Sequence, residues 1–334
     1  MERIPKDTLL LITGYAGYIE YKDAGRLFSS ISNRNRVVKQ LKDQQLIRVK
    51  QLDGVRMVLL TRDGREYVKE AYPWVTVYDS YSGMPAGRRR RCVIAKTLVN
   101  LVLLGVDIGP EGAANSFRPG KAVSEDRMNR LGRMCGLYIA QDCDYFVYTL
   151  ADAAIHWDDG REMRQMILTE QKRKRRIGML ICMDQAGTIR EILENSVLSQ
   201  KEKRQRTASN NMRFYIPDYF RAGAYLIPMD DMETAKFSLE LVCDPTKREA
   251  LKDTLEDGED SICLIPLNAS RLMGLYYSRL RKTVYVDEAY ASCIAALFPG
   301  HEVIGIDIPA LRGVTDYTSW ITEEKDSEDK GIVD

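Results

Sequence analysis

Two asparagines and two arginines alternate in one short stretch of the chain, at Asn33, Arg34, Asn35 and Arg36. Each of these side chains carries paired hydrogen-bonding groups, which suit the edges that adenine and guanine present in the major groove of duplex DNA. Lys39 and Lys42 follow at positions that suit contacts with phosphates. The stretch therefore predicts a segment that contacts base edges and holds the DNA backbone beside them.

A helix over residues 33–44 would bring these side chains together. Val37, Val38 and Leu41 supply a narrow apolar seam, and polar or basic residues fill most of the remaining circumference. The hydroxyl of Ser32 is the predicted N-cap of this helix. Because a charged helix considered alone is usually an ordinary solvated face, the neighbouring elements decide between the two interpretations.

The elements around this helix have the types and order that DNA binding requires. Apolar spacing predicts a helix over residues 5–16 and a short helix over residues 21–28. Two strand-like segments, 46–51 and 55–60, follow the basic helix and are joined by Asp53-Gly54. This pair readily adopts the positive φ angles of a tight hairpin turn, so the two segments predict a β-hairpin.

The hairpin adds positive charge to the same region through Arg48, Lys50 and Arg56. A further helix is predicted after Thr61, whose hydroxyl can cap it. The order helix, short helix, basic helix, hairpin and helix predicts a winged helix-turn-helix over residues 1–72, with double-stranded DNA as its partner. Winged helices that serve as protein-assembly modules are the alternative for the same fold.

A longer stretch of this region, YKDAGRLFSSISNRNRVVKQLKDQQLIRVKQLDGVRMVLLTRDGREYV, resembles the N-terminal winged helix of bacterial regulators. Its LKDQQLIRV matches their passage from recognition helix to wing, and LLTRDGREYV matches their LTxxG segment after the wing. Within that group the chain is most similar to replication-relaxation proteins of plasmids and integrative elements of Gram-positive bacteria. The resemblance implies a larger α/β unit after the winged helix and a role in replicating, mobilising or regulating an extrachromosomal element.

The remaining sequence predicts such an α/β unit over residues 92–322. From about residue 133, apolar strand-like runs alternate with helical patterns, and GLYIAQDCDYFVYTL and YLIPMD are similar to the second half of the replication-relaxation proteins. The first 100 residues hold 19 Lys+Arg against 10 Asp+Glu, although the whole chain has a net charge of only +1. A basic DNA-binding domain attached to an acidic partner domain fits this asymmetry.

Residues 73–91 predict a linker that ends in four arginines, Arg88, Arg89, Arg90 and Arg91. Such a run can act as an arm that grips phosphates, because cations displace the counterions condensed on DNA. It can equally be the solvated start of a helix over residues 88–104. The acidic tail, residues 323–334, lacks core-forming side chains and is predicted to be disordered.

Catalytic patterns are sparse. Only His156 and His301 are present, and no phosphate-binding loop of the GxxxxGK[ST] type occurs, so we predict neither a metal centre nor a cofactor. One weak nuclease-like pattern remains, in which Asp159 and Glu170 would hold a divalent cation and Lys172 would orient a water molecule. The same stretch also has the pattern of an exposed amphipathic helix.

The leading hypothesis is sequence-selective binding of double-stranded DNA in the replication, mobilisation or regulation of a bacterial mobile element. One alternative is a transcriptional regulator whose C-terminal domain oligomerises or senses a ligand, and another is a metal-dependent nuclease. A homodimer and replication or transfer proteins are the predicted protein partners. Seven scattered cysteines and the lack of a long apolar run predict a cytoplasmic location without membrane contact.

Overall fold

The structure, a computed structural model, describes residues 5–78, 85–109, 115–119, 134–150, 170–183, 223–255 and 257–308. Its helices and three β-sheets make a mixed α/β protein, so the predicted fold class is confirmed at this level. The chain divides into two units, one built mainly from Met1–Cys182 and the other mainly from residues after Met183. No helix within the described ranges is both long and apolar enough to cross a membrane.

The first unit begins with four helices and a small sheet. In chain order these elements are α1 (Pro5–Ala16), β1 (Ile19–Glu20), α2 (Tyr21–Gly25), α3 (Ile31–Asp43), β2 (Ile47–Leu52), β3 (Val55–Leu60) and α4 (Arg62–Ala71). The strands are antiparallel and lie in the order β1-β3-β2. Helix α1 contacts α4 and β3, and every residue from Thr8 to Ala16 is buried, so it forms the centre of this core.

Helix α3 begins two residues before the predicted start. Its N-cap is Ser30, whose hydroxyl accepts a hydrogen bond from the Asn33 amide at 3.1 Å, so the prediction of Ser32 is wrong. Ser30 has the extended backbone that an N-cap needs, whereas Ser32 already lies within the first turn. Val37, Val38 and Leu41 are buried, which confirms the predicted apolar seam.

The hairpin of β2 and β3 turns at Asp53 and Gly54, as predicted. Their φ values are 51° and 78°, both in the left-handed region that a two-residue turn of this kind requires. Leu52 pairs with Val55 directly across the turn, and the register continues without a shift to Ile47 and Leu60. The alternation of side chains along both strands is therefore fixed.

Helix α4 is joined to the start of β2 by close backbone contacts. Thr61 caps the helix by accepting from the Gly64 amide at 3.0 Å, and its own hydroxyl donates to the Gln45 carbonyl. The Thr61 amide donates to the Leu46 carbonyl at 3.0 Å. A Cβ added to Gly64 would lie 1.9 Å from that same carbonyl oxygen, so this close approach requires glycine.

The first unit continues with helix α5 and further strands. These are α5 (Pro85–Leu103), β4 (Asp107–Ile108), β5 (Ser116–Pro119), β6 (Met134–Ile139), β7 (Cys143–Leu150) and β8 (Arg176–Met183). They lie in the order β4-β5-β6-β7-β8, with β4 parallel to β5 and with β5, β6 and β7 antiparallel in succession. Residues 85–91, assigned from the sequence to the linker, form the first turns of α5.

Helix α5 contacts the N-terminal elements on one side and strands β6 and β7 on the other. Arg26 after α2 donates to Asn100 of α5 at 2.6 Å, and Thr97 of α5 donates to Thr149 of β7 at 2.7 Å. The Tyr15 hydroxyl of α1 donates directly to the Cys135 carbonyl of β6 at 2.7 Å. The predicted DNA-binding region is thus packed into a larger unit.

The second unit alternates strands and helices. Its elements are β9 (Ala224–Pro228), α6 (Met232–Cys243), α7 (Pro245–Thr254), β10 (Ser261–Cys263), α8 (Ala269–Tyr277), β11 (Thr283–Asp287), α9 (Glu288–Leu297) and β12 (Glu302–Ile306). Strands β10, β11 and β12 are parallel neighbours, linked by α8 and α9. The predicted tail at 323–334 lies outside the described residues.

Candidate nucleic-acid interface

Helix α3 presents the predicted DNA-contacting residues on its outer surface. Asn35, Arg36, Lys39 and Lys42 are exposed, whereas Asn33 and Arg34 are half-buried. The helix has four basic residues and one acidic residue, Asp43 at its end. Its exposed face is therefore cationic from Arg36 to Lys42, as a surface that follows phosphates must be.

Tyr21, the first residue of α2, joins α3 to the hairpin. The Arg34 guanidinium lies over its ring at 4.7 Å from the centroid, and the Arg56 guanidinium of β3 lies over it at 4.0 Å. The Tyr21 hydroxyl donates to the side-chain oxygen of Asn35 at 3.2 Å. Arg34 also donates from Nε and Nη2 to the same Asn35 oxygen at 3.2 and 3.1 Å, whereas stacking on the Tyr21 ring itself uses no N–H donor. We call Tyr21, Arg34, Asn35 and Arg56 the tyrosine cluster.

A second contact orders the start of α3. Arg36 donates to the side-chain oxygen of Asn33 at 3.1 Å, and the Asn33 backbone is held by Ser30. These side chains lie in the first turns of the helix, where a helix that enters the major groove makes its base contacts. The local bonds hold both side chains close to the helix surface and reduce the entropy that they would lose on binding.

The basic residues of the hairpin point in two directions. Arg56 is opposite Gln51, and Lys50 is opposite Met57, so Arg56 and Lys50 project from opposite faces of the two strands. Arg48 lies on the same face as Lys50, since the two residues are two positions apart. The structure therefore joins Arg56 to α3 and separates Arg48 and Lys50 from it. Both of these residues are exposed.

The four consecutive arginines have different surroundings in α5. Arg88 forms a two-bond ion pair with Asp53 at the hairpin turn, with both N–O distances 2.7 Å. This hydrogen bond lowers the pKa of the Asp53 carboxyl below its ordinary value of 3.8. Arg91 stacks over the Tyr78 ring at 3.9 Å, whereas Arg89 and Arg90 are exposed. Arg88 thus fixes the hairpin turn against α5.

The nuclease-like residues are in a different part of the first unit. Glu170 and Lys172 lie in a helical turn before β8, and the Glu170 carboxylate accepts from the Ile177 amide at 3.2 Å. Asp159 lies outside the described residues. The buried carboxylate nearby is Asp144, which pairs with Arg173 at 2.5 Å and with Arg175 at 2.8 Å. Among the residues that the structure describes, no group of three metal-ligating side chains comes together.

Two residues of this surface were not identified from the sequence. Tyr21 looked like an ordinary helix residue, and its role depends on contacts with residues that are distant in the chain. Ile31 was placed before α3, but it is the first residue of the helix and its side chain is 70% exposed. A large aliphatic side chain between polar neighbours was the available signal for Ile31.

Comparison of the chain with models of protein families, with curated proteins and with solved structures finds no match. The functional assignment therefore depends on the exposed face of α3, the tyrosine cluster and the β2–β3 hairpin.

Proposed function

We propose that residues 5–72 form a winged helix-turn-helix that binds double-stranded DNA, with α3 in the major groove and the β2–β3 hairpin as the wing. The observation that carries the proposal is the tyrosine cluster. It joins an exposed basic helix to an arginine of the adjacent hairpin, so cations of two elements are held on one surface, as contacts with the phosphates of a duplex require.

The residues divide by role in this proposal. Asn33, Arg34, Asn35 and Arg36, near the start of α3, face base edges, and Lys39 and Lys42 hold phosphates farther along the groove. Arg56 contacts the backbone beside α3. Arg48 and Lys50 reach the backbone from the other face of the wing, and Arg89 and Arg90 add charge from α5. These last four cations strengthen binding without selecting a sequence.

The resemblance to replication-relaxation proteins supports a biological setting for this activity. We propose that the protein acts on the DNA of a bacterial plasmid or integrative element, in replication, mobilisation or regulation. A footprint within a replication or transfer origin is expected for the first two roles, and a footprint at a promoter for the third. Binding as a homodimer would show two half-sites one helical turn apart.

A salt titration tests the proposed DNA binding. The full-length protein is added to a fluorescent duplex, and affinity is measured by anisotropy from 50 to 200 mM salt, a range over which each phosphate contact contributes about 0.9 to the logarithmic slope. We expect the Lys39→Ala/Lys42→Ala variant, which removes two proposed phosphate contacts, to bind more weakly and to lower this slope by about 1 to 2.

A matched variant controls for the loss of charge alone. Lys247 and Arg281 are exposed cations of the second unit, and Lys247→Ala/Arg281→Ala removes the same number of charges. The control is expected to keep the affinity and slope of the original protein. Equal losses in both variants, or no binding by the original protein, would contradict the proposal.

A further inference from the structure

Ile31 is a large aliphatic residue whose exposure is not explained by packing within the fold. It is the first residue of α3, and 70% of it is exposed, although the apolar seam of the same helix is buried. Ile31 and Asn35 are four positions apart, so their side chains are neighbours on one side of the helix. An aliphatic group therefore lies beside an amide group at the end of α3 that would enter the groove first.

The hydrogen bonds of Asn35 restrict what its side chain can offer. Its side-chain oxygen accepts from the Tyr21 hydroxyl at 3.2 Å and from Arg34 Nε and Nη2 at 3.2 and 3.1 Å. An amide oxygen has two lone pairs, and these donors occupy them. The group that Asn35 has left for a ligand is its amide nitrogen, which only donates.

This restriction changes which base Asn35 can recognise. Paired recognition of adenine needs the asparagine oxygen to accept from adenine N6 while the nitrogen donates to N7. With its oxygen occupied, Asn35 cannot make both bonds. Thymine instead presents a single acceptor, O4, next to its C5-methyl group on the same edge, and an apolar side chain is the usual contact for that methyl group.

We infer that Ile31 and Asn35 together read a thymine in the major groove, with Ile31 against the C5-methyl group and the Asn35 amide donating to O4. The inference rests on the proposed function, since it requires α3 to lie in the groove. Tyr21 is a positioning residue in this arrangement. Its hydroxyl and the Arg34 guanidinium hold the Asn35 oxygen inward, so the nitrogen faces the base.

Uracil substitution tests the methyl contact directly. A preferred duplex is first selected from a randomised pool with the full-length protein, and each thymine is then replaced in turn by deoxyuridine, which lacks only the C5-methyl group. At one thymine we expect the affinity of the original protein to fall about fourfold, as the loss of one buried methyl predicts. The Ile31→Ala variant should bind the thymine and uracil duplexes equally.

Two further variants complete the test. Leu280 is 72% exposed in the second unit, so Leu280→Ala removes a comparable aliphatic group and should keep the full response to uracil. Asn35→Asp keeps an oxygen for Tyr21 and Arg34 but removes the amide donor. It should reduce the preference for thymine over cytosine at the same position, since the Ile31 contact with the methyl group then remains alone, while its thermal unfolding stays close to that of the original protein.

The outcomes distinguish a failure of this inference from a failure of the proposed function. If no duplex is enriched, both fail. If a duplex is enriched but uracil has no effect at any position, or Ile31→Ala keeps the effect, the thymine contact is wrong and DNA binding stands. A loss of affinity on replacing adenine by 7-deazaadenine that disappears in Asn35→Asp would show that Asn35 reads adenine, and would overturn the inference.

Discussion

Replacing Gly64 by alanine should destabilise the N-terminal part of the first unit, although alanine is normally the better helix residue. A Cβ at this position would lie 1.9 Å from the Leu46 carbonyl oxygen and 2.8 Å from its carbonyl carbon. Ordinary contact requires about 3.5 Å, so α4 and the start of β2 must move apart by more than an ångström. The contact involves backbone, which cannot rotate away as a flexible side chain can.

The expected loss of stability can be estimated from the contacts that this movement disturbs. Overpacking costs about 1–3 kcal/mol, and weakening the bond from the Thr61 amide to the Leu46 carbonyl adds about 1 kcal/mol. The higher intrinsic helix preference of alanine offsets about 1 kcal/mol of this destabilisation. The net loss in the free energy of opening should be about 1–3 kcal/mol.

Amide hydrogen exchange, followed by mass spectrometry, localises this loss to peptides from α1, β3 and α4. Gly274 provides the control, because it lies in helix α8 and an added Cβ there meets nothing within 4 Å. Gly274→Ala should stabilise its own region by up to about 1 kcal/mol. If peptides from α1 and β3 exchange as slowly in Gly64→Ala as in the original protein, the argument from the close approach is wrong.

Three further predictions concern the hairpin and the start of α4. Lys50→Ala should weaken binding to all duplexes alike and reduce the salt slope by about 1, as a phosphate contact requires; a change in sequence preference would contradict this role. Asp53→Asn should loosen the hairpin turn from Arg88 at neutral pH. Because the pKa of Asp53 is lowered in the folded state, the stability from this ion pair is present above pH 3.8 and is lost as the pH falls below it. Urea unfolding at pH 7 should therefore separate the variant from the original protein, and the gap should shrink towards pH 3. Thr61→Ala should cost about 0.5–2 kcal/mol through loss of the cap, and Thr61→Ser should restore most of that loss in the same measurement.

The local elements of the N-terminal region could be predicted because their causes are local. The apolar seam of α3, the cap at Thr61 and the turn at Asp53 and Gly54 each depend on residues a few positions apart. The start of α3 was misplaced because Ser30 and Ser32 are both acceptable caps by residue type. The choice between them depends on backbone geometry, and it decided whether Ile31 belonged to the helix.

The arrangement of the candidate site could not be predicted, because it depends on contacts between distant residues. Arg56 contacts Tyr21, which lies 35 positions earlier in the chain, and Arg88 pairs with Asp53, which also lies 35 positions earlier. The sequence showed that the cations exist, but it could not show that Arg88 is paired or that Lys50 and Arg56 lie on opposite faces. The pairing of Arg88 depends on tertiary packing, and the placement of Lys50 and Arg56 on opposite faces depends on the register of the hairpin.

The central claim, that α3 enters the major groove, is tested most directly by Arg34→Ala/Arg36→Ala. Affinity is measured for the duplex selected by the original protein and for a scrambled duplex of the same composition. We predict a loss of about 1–3 kcal/mol per base contact on the selected duplex, a smaller loss on the scrambled one, and a reduced ratio between the two. An unchanged affinity and an unchanged ratio would contradict the claim.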